Sequence, residues 1–220
     1  RPNLLFLITD QQRYPQHWPA GWGEQNLPNW NRLAKNGISF SRCYCNSAMC
    51  SPSRATLLTG LYPAHHGVLD TLTESENLEY NHLPFNMQNM ARLLASAGYQ
   101  VIYKGKWHLS RGEDQYDPTP EELAAYGFSE WNPPEAGQDG APENYGARHD
   151  ERIVNESVAF LRTKNPENTQ EKPFALFVSL VNPHDVIGYP KDYMEDYPDI
   201  ERLDLGIQVP ETINEDLSEK

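Results

Sequence analysis

The sequence is poor in what would build a disulfide framework, a membrane span or a basic surface, and each shortage excludes a class. It holds only three cysteines, Cys43, Cys45 and Cys50, an odd count crowded into one segment, which is no disulfide network. No Cys/His pair at finger-like spacing accompanies them, which disfavours zinc. Cys43 and Cys45 read as small buried hydrophobes on a strand. The longest strongly apolar run near the start, Leu4 to Ile8, is far too short to cross a bilayer. Neither an initiating Met nor a signal-peptide pattern is present, and no compartment, periplasmic, secreted or cytoplasmic, follows from that. Basic residues are the scarce charge, 18 against 31 acidic for a net of −13. That balance disfavours nucleic acid and anionic membrane as principal partners. A small anionic substrate is not excluded, because one pocket can be locally positive.

What is present is an alternation of apolar runs and amphipathic stretches. Asn3 to Thr9 and Phe174 to Val181 are continuous apolar runs of strand length, expected to be buried on both faces. Ile38 to Tyr44 and Tyr99 to Tyr103 read as two further strands. Helices are expected over Pro28 to Asn36 and over Pro52 to Thr59, the latter with Ser51 as N-cap and Gly60 as stop. Met87, Met90, Ala91, Leu94 and Ala97 mark another helix, as do Ile153, Val154, Val158 and Leu161. The expected fold is therefore α/β, a mostly parallel central sheet with helices on both faces. Between Ser110 and Asp150 the pattern breaks into a Pro-, Gly- and acid-rich stretch, relieved by one helix behind the capping box Thr119-Pro120-Glu121-Glu122. The acidic part, Glu113 to Glu151, reads as the rim of a pocket.

Three apolar strands run into polar clusters at their carboxyl ends: Asp10-Gln11-Gln12-Arg13, Lys104-Gly105-Lys106-Trp107-His108 and Asn182-Pro183-His184-Asp185. Ligands of open α/β sheets bind there, so the clusters are expected to converge. Cys50-Ser51-Pro52-Ser53-Arg54 adds a cysteine directly before a helix start, where free N–H groups and the macrodipole favour an anion. With Arg54, Lys106, His108 and His184 this makes an oxyanion receptor, and Asp10 could hold a divalent cation beside it. Lys104 could share the face of Lys106. His65 and His66 read as structural or exposed, Trp18, Trp22 and Trp30 as packing, and Asp185 as either a pocket residue or a turn former before Gly188.

Cys50-Ser51-Pro52-Ser53-Arg54, continued by Ala55-Thr56-Leu57-Leu58-Thr59-Gly60, resembles the signature of the formylglycine-dependent sulfatases of the alkaline phosphatase superfamily. Arg1-Pro2-Asn3 with the strand ending at Asp10 resembles that family's opening. Gly105-Lys106-Trp107-His108-Leu109 and Pro183-His184 resemble its next active-site segments, in the family's order. The resemblance runs to about residue 190 and implies that 1–220 is the N-terminal part of the large catalytic domain.

The resemblance further implies oxidation of Cys50 to formylglycine by a formylglycine-generating enzyme, and hydrolysis of a small sulfated substrate, with a carbohydrate sulfate as a reasonable guess. Asp10, Gln11 and modified Cys50 would ligate one divalent metal, Ca²⁺, with Mn²⁺ or Mg²⁺ as alternatives. Arg54 and Lys106 would charge-stabilise the nucleophile and the sulfate oxygens. His108 would bond the formylglycine hydroxyl, and His184 would contact the sulfate or the leaving oxygen. The family's later metal pair, second lysine and smaller C-terminal domain would lie beyond Lys220, leaving 1–220 inactive alone. Gln11 departs from the second acidic residue common in sulfatases, and this widens the choice to a phosphonate or phosphate ester hydrolase. A non-catalytic binder of sulfated glycans is the remaining alternative.

Overall fold

A computed structural model describes residues 1–14, 18–72, 82–112, 117–136, 146–165 and 171–187. The acidic residues 113–116 and 137–145, and the expected turn at Gly188, lie outside them. Among the described residues the sheet is three-stranded and parallel, in the order β1 (Leu4–Asp10), β3 (Phe174–Pro183), β2 (Gln100–Gly105). Leu4 pairs with Ala175 and Val101 with that same Ala175, so the strands start level and their carboxyl ends reach one edge.

β3 is the central strand, and its period-2 alternation fills both faces. Ala175 and Phe177 join Val101, Tyr103, Trp107, Phe128 and Trp131 in one core. Leu176 and Val178 join Ile102, Ile153 and Phe160 in the other. Ile153 and Phe160 come from the helix α7 (Gly146–Arg162), which packs over β3 and β2. On the opposite face lies α5 (Met90–Ser96), capped by the Asn89 side chain, which accepts the Arg92 N–H. It begins later than the apolar spacing predicts, because the cap fixes its start. The capping box holds: Thr119 and Glu122 bond each other's backbone N–H groups ahead of α6 (Pro120–Ala125).

Three expectations are corrected. Ile38 to Tyr44 is not a strand; Ile38, Phe40 and Tyr44 are exposed, and Cys43 and Cys45 are exposed rather than buried. β1 is covered on one face only. Leu4, Phe6 and Ile8 pack into the first core, whereas Leu5 and Leu7 are 52% and 57% exposed. β1 is an end strand of this sheet, and α7 packs mainly over β3 and β2. Finally, α3 (Cys50–Thr59) starts earlier than expected: Met49 is its N-cap and Cys50 its first residue. Pro52 at the third position is tolerated because the first turn's N–H groups have no helical partner anyway.

Residues Arg13–Tyr44 belong to a second compact unit. It carries α1 (Trp22–Asn26) and α2 (Pro28–Lys35), neither of which buries a residue. Trp18 and Trp22 pack together with ring centroids 4.6 Å apart, and Trp30 is exposed.

One glycine is indispensable to the strand end. Gly105 adopts φ +96°, and a Cβ there would lie 2.1 Å from the Ser179 carbonyl oxygen. Gly105→Ala should therefore cost on the order of 3 kcal/mol or more. A urea denaturation midpoint unchanged from the parent protein would contradict this close approach.

Candidate active site

Asp10, at the last position of β1, is buried beside two cations. Its Oδ2 lies 2.6 Å from Lys106 Nζ and 3.1 Å from Arg54 Nη2. Burial pushes the carboxyl up, but the charges of Arg54 and Lys106 outweigh it and hold Asp10 below the usual carboxylate range. Arg54, one turn into α3, also donates to the Lys106 carbonyl at 2.7 Å and to Ser179 Oγ at 2.8 Å. Its guanidinium thus ties α3 to β3 and to the turn after β2.

Cys50 faces this group from the first turn of α3. Its Sγ lies 3.4 Å from Asp10 Oδ1 and 4.0 Å from Lys106 Nζ. Ser51, buried beside it, accepts the Leu72 N–H through Oγ at 2.9 Å rather than capping the helix. A cavity of about 210 Å³ opens here, lined by Asp10, Gln11, Cys45, Met49, Cys50 and Arg54 among others. Gln11 is exposed at φ 61°, a left-handed backbone uncommon for a non-glycine residue.

The two imidazoles are in opposite states. His108 Nε2 lies 3.0 Å from the Leu72 carbonyl, which can only accept, so Nε2 carries the hydrogen. Its buried Nδ1 has no hydrogen-bond partner among the described residues and keeps its lone pair. Burial, with Lys106 and Arg54 nearby, pushes His108 down to about 3, so it is neutral. His184 instead bonds Asp185 Oδ1 through Nδ1 at 2.8 Å. That carboxylate, followed by the bond to Cys50, raises His184 to about 9, so it is protonated at neutral pH.

The structure thus brings Asp10, Cys50, Arg54, Lys106 and His184 together, with His108 joined through Leu72. Gln11 borders the cavity. Lys104 does not share their site: its amine donates to the Glu130 carbonyl and lies 3.9 Å from that residue's carboxylate. His66, the last residue of the short helix α4 (Pro63–His66), is structural, with Nε2 3.1 Å from Thr56 Oγ1 on α3 and Nδ1 accepting the Val68 N–H. Asp185 is a partner of His184 rather than only a turn former.

Two carboxylates escaped the sequence reading. Glu135, 1% exposed, accepts the N–H groups of Trp107 and His108, and burial raises it to about 7 against those bonds. Asp150 accepts the N–H groups of Val181 and Asn182. Part of the expected rim therefore lies beneath the site. No local motif marks such contacts, since they join residues about thirty positions apart.

The donors that could face a metal are oxygens, the carboxylate of Asp10 and the amide of Gln11, which suits a hard cation. They do not make a site by themselves. Among the described residues no three His, Cys, Asp or Glu side chains are placed to hold an ion. The fit is to part of a coordination shell.

Comparison with known proteins identifies the family. The sulfatase family model matches residues 2–204, and the chain belongs to that family. It is 33% identical over 240 residues to the Escherichia coli (strain K12) protein described as uncharacterized sulfatase YidJ, covering 100% of this chain and 45% of that one. A solved structure of a protein in complex with its substrate D-glucosamine-2-N,6-O-disulfate superposes with a TM-score of 0.57 at 25% identity. It covers 84% of this chain and 35% of its own. The phosphonate monoester hydrolase of Agrobacterium radiobacter shares the fold, with a TM-score of 0.55 at 22% identity over 84% of this chain and 41% of its own. The chain thus spans less than half the length of each of these three proteins. No helix among the described residues is long and apolar enough to cross a membrane.

The state of His184 is directly measurable. Asp185→Asn removes the largest cause of its raised pKa, so the protonated ring loses its charge partner. In an NMR titration of the unmodified thiol form, the midpoint should fall from about 9 toward the ordinary 6.5. A midpoint that stays put would mean that Asp185 does not hold the charge.

Proposed function

We propose that the full-length protein hydrolyses a sulfate ester, with a formylglycine made from Cys50 as nucleophile. The observation that carries this reading is the position of Cys50. It lies at the N-terminus of a ten-residue helix, 4.0 Å from the Lys106 ammonium and beside Arg54 and His184. Membership of the sulfatase family supports the same reading.

The oxidised side chain, hydrated to a gem-diol, would supply one hydroxyl to attack sulfur and a second to re-form the aldehyde as sulfate leaves. Arg54 and Lys106 would neutralise the charge on the sulfate oxygens, as preorganised donors do for developing oxyanions. His184, already protonated, would give its proton to the departing ester oxygen. His108 would accept the proton of the second hydroxyl at Nδ1, whose lone pair the Leu72 carbonyl keeps free. Two imidazoles with pKa values pushed apart are suited to one acid and one base role. A divalent ion, Ca²⁺ or alternatively Mn²⁺ or Mg²⁺, would polarise the sulfate. Asp10, Gln11 and the modified residue 50 would supply part of its shell, with further donors from the rest of the protein. A formylglycine-generating enzyme would be the obligatory partner, since an unoxidised thiol carries no second hydroxyl whose oxygen could re-form the aldehyde and expel sulfate.

A carbohydrate sulfate is the favoured substrate class, because the structural neighbour with a bound substrate takes a sulfated glucosamine. The second reading is a phosphonate ester hydrolase. Gln11, which lowers the negative charge beside Asp10, and the shared fold of the phosphonate monoester hydrolase favour it. Steady-state rates of the full-length protein on matched aryl sulfate and aryl phosphonate esters separate the two. The sulfate should be preferred, and a preference for phosphorus by orders of magnitude would overturn the first reading. Cys50→Ala should lower kcat on the sulfate by at least about 10³-fold, the scale of losing a covalent nucleophile. Intact mass of the Cys50 peptide from the native host should show the aldehyde or its hydrate, and a persistent thiol there would favour a sulfated-glycan binder.

A further inference from the structure

We propose that Glu135 and Asp150 are positioning residues, each holding with one carboxylate the two consecutive backbone N–H groups beyond or near the end of a site strand. The proposal rests on the reading above for what the positioned side chains then do.

At the end of β2, the Trp107 N–H lies 3.0 and 3.1 Å from the two Glu135 oxygens, and the His108 N–H lies 3.1 Å from Oε2. A carboxylate this deeply buried is costly unless hydrogen-bonded, and Arg54 and Lys106 add favourable charge. His108 has φ 56°, a left-handed conformation that a residue with a Cβ rarely adopts. Successive N–H groups in such a turn form a concave anion site, so the carboxylate stabilises the backbone that presents His108. Lys106 is the residue just before this turn. Its carbonyl is held separately by Arg54 and by the Tyr103 hydroxyl, each at 2.7 Å.

At the end of β3 the arrangement repeats from another element. Asp150, on α7, accepts the Val181 N–H at 2.6 Å through Oδ1 and the Asn182 N–H at 3.0 Å through Oδ2. The ladder with β1 becomes irregular here, between Ile8 and Asp10. Two N–H groups near the ladder's end are therefore fixed by a side chain, two residues ahead of His184. Neither carboxylate acts on the substrate itself; each acts through the groups that it holds.

The isosteric changes Glu135→Gln and Asp150→Asn test this in the full-length protein. An amide turns an NH₂ toward one of the paired N–H groups, so one contact becomes a donor–donor clash while volume is kept. Glu135→Gln should reduce kcat on an aryl sulfate on the order of tenfold to a hundredfold, with KM within about twofold of the parent. It should also move the His108 ring ¹⁵N signals. Asp150→Asn should slow an alkyl sulfate more than a nitrophenyl sulfate, because only the poorer leaving group needs the His184 proton, and should move the His184 ring signals.

Unmoved ring signals in the folded variants would overturn the proposal, as would unchanged kcat where the parent protein is active. Should the parent turn over no sulfate or phosphonate ester, the functional reading fails, and the ring signals still decide the positioning role. Should Glu135→Gln not fold, Glu135→Asp keeps the charge, and a His108 signal unmoved in that shorter variant would overturn the role of Glu135.

Discussion

The site depends on one carboxylate. Lys106 has no solvent exposure and Arg54 very little, and two cations cannot be placed side by side in such a setting without an anion. Asp10 is the anion in direct contact with both, through a single oxygen, with Glu135 adding its charge nearby. Breaking a buried pair of this kind by removing one partner typically costs about 3–5 kcal/mol, because the remaining charge is stranded. The geometry of α3, of the turn after β2 and of the end of β1 is therefore coupled, and Cys50 inherits its position from that coupling.

The parallel sheet is what lets one carboxylate do this. β1 and β2 flank β3 on opposite sides, and all three run the same way. Asp10 and Lys106 thus arrive at the same edge from strands that do not touch each other. Arg54 spans the gap between them through Ser179 on β3. Gly105, pressed against the Ser179 carbonyl, allows the chain to turn there at all. The cluster is a consequence of topology as much as of residue type, which is why it places polar groups beyond strands whose own interiors are apolar.

That logic also explains what could be read in the sequence and what could not. Apolar runs ending in Asp10, Lys106 and His184 announce strands and their polar ends together, since an apolar strand and its polar terminus have distinct compositions. Ile38 to Tyr44 also reads as a strand and is none, because composition states a preference for burial without naming a pairing partner. Leu5 and Leu7 show the same gap on the scale of one strand: their character calls for a covering layer, and α7 packs mainly on β2 and β3. The start of α3 is misread because proline favours the first helical position but is tolerated throughout the first turn, so the sequence places Cys50 outside a helix that in fact contains it. Glu135 and Asp150 were invisible for a different reason. Their partners are backbone N–H groups, which every residue but proline has, so no spacing of side chains encodes them.

The difference between His108 and His184 follows from what each ring touches with its second nitrogen. A backbone carbonyl facing Nε2 of His108 accepts a hydrogen whether or not the ring is charged, so it fixes the tautomer without stabilising the cation strongly. Burial beside Lys106 and Arg54 then decides for the neutral form. A carboxylate facing Nδ1 of His184 does stabilise the cation, and the ring is charged. One ring therefore keeps a lone pair where the other keeps a proton, although both are the same residue type within one cluster. In the proposed reaction, the acid and base roles would thus be assigned by a carbonyl and a carboxylate outside the reacting centre, before any substrate arrives.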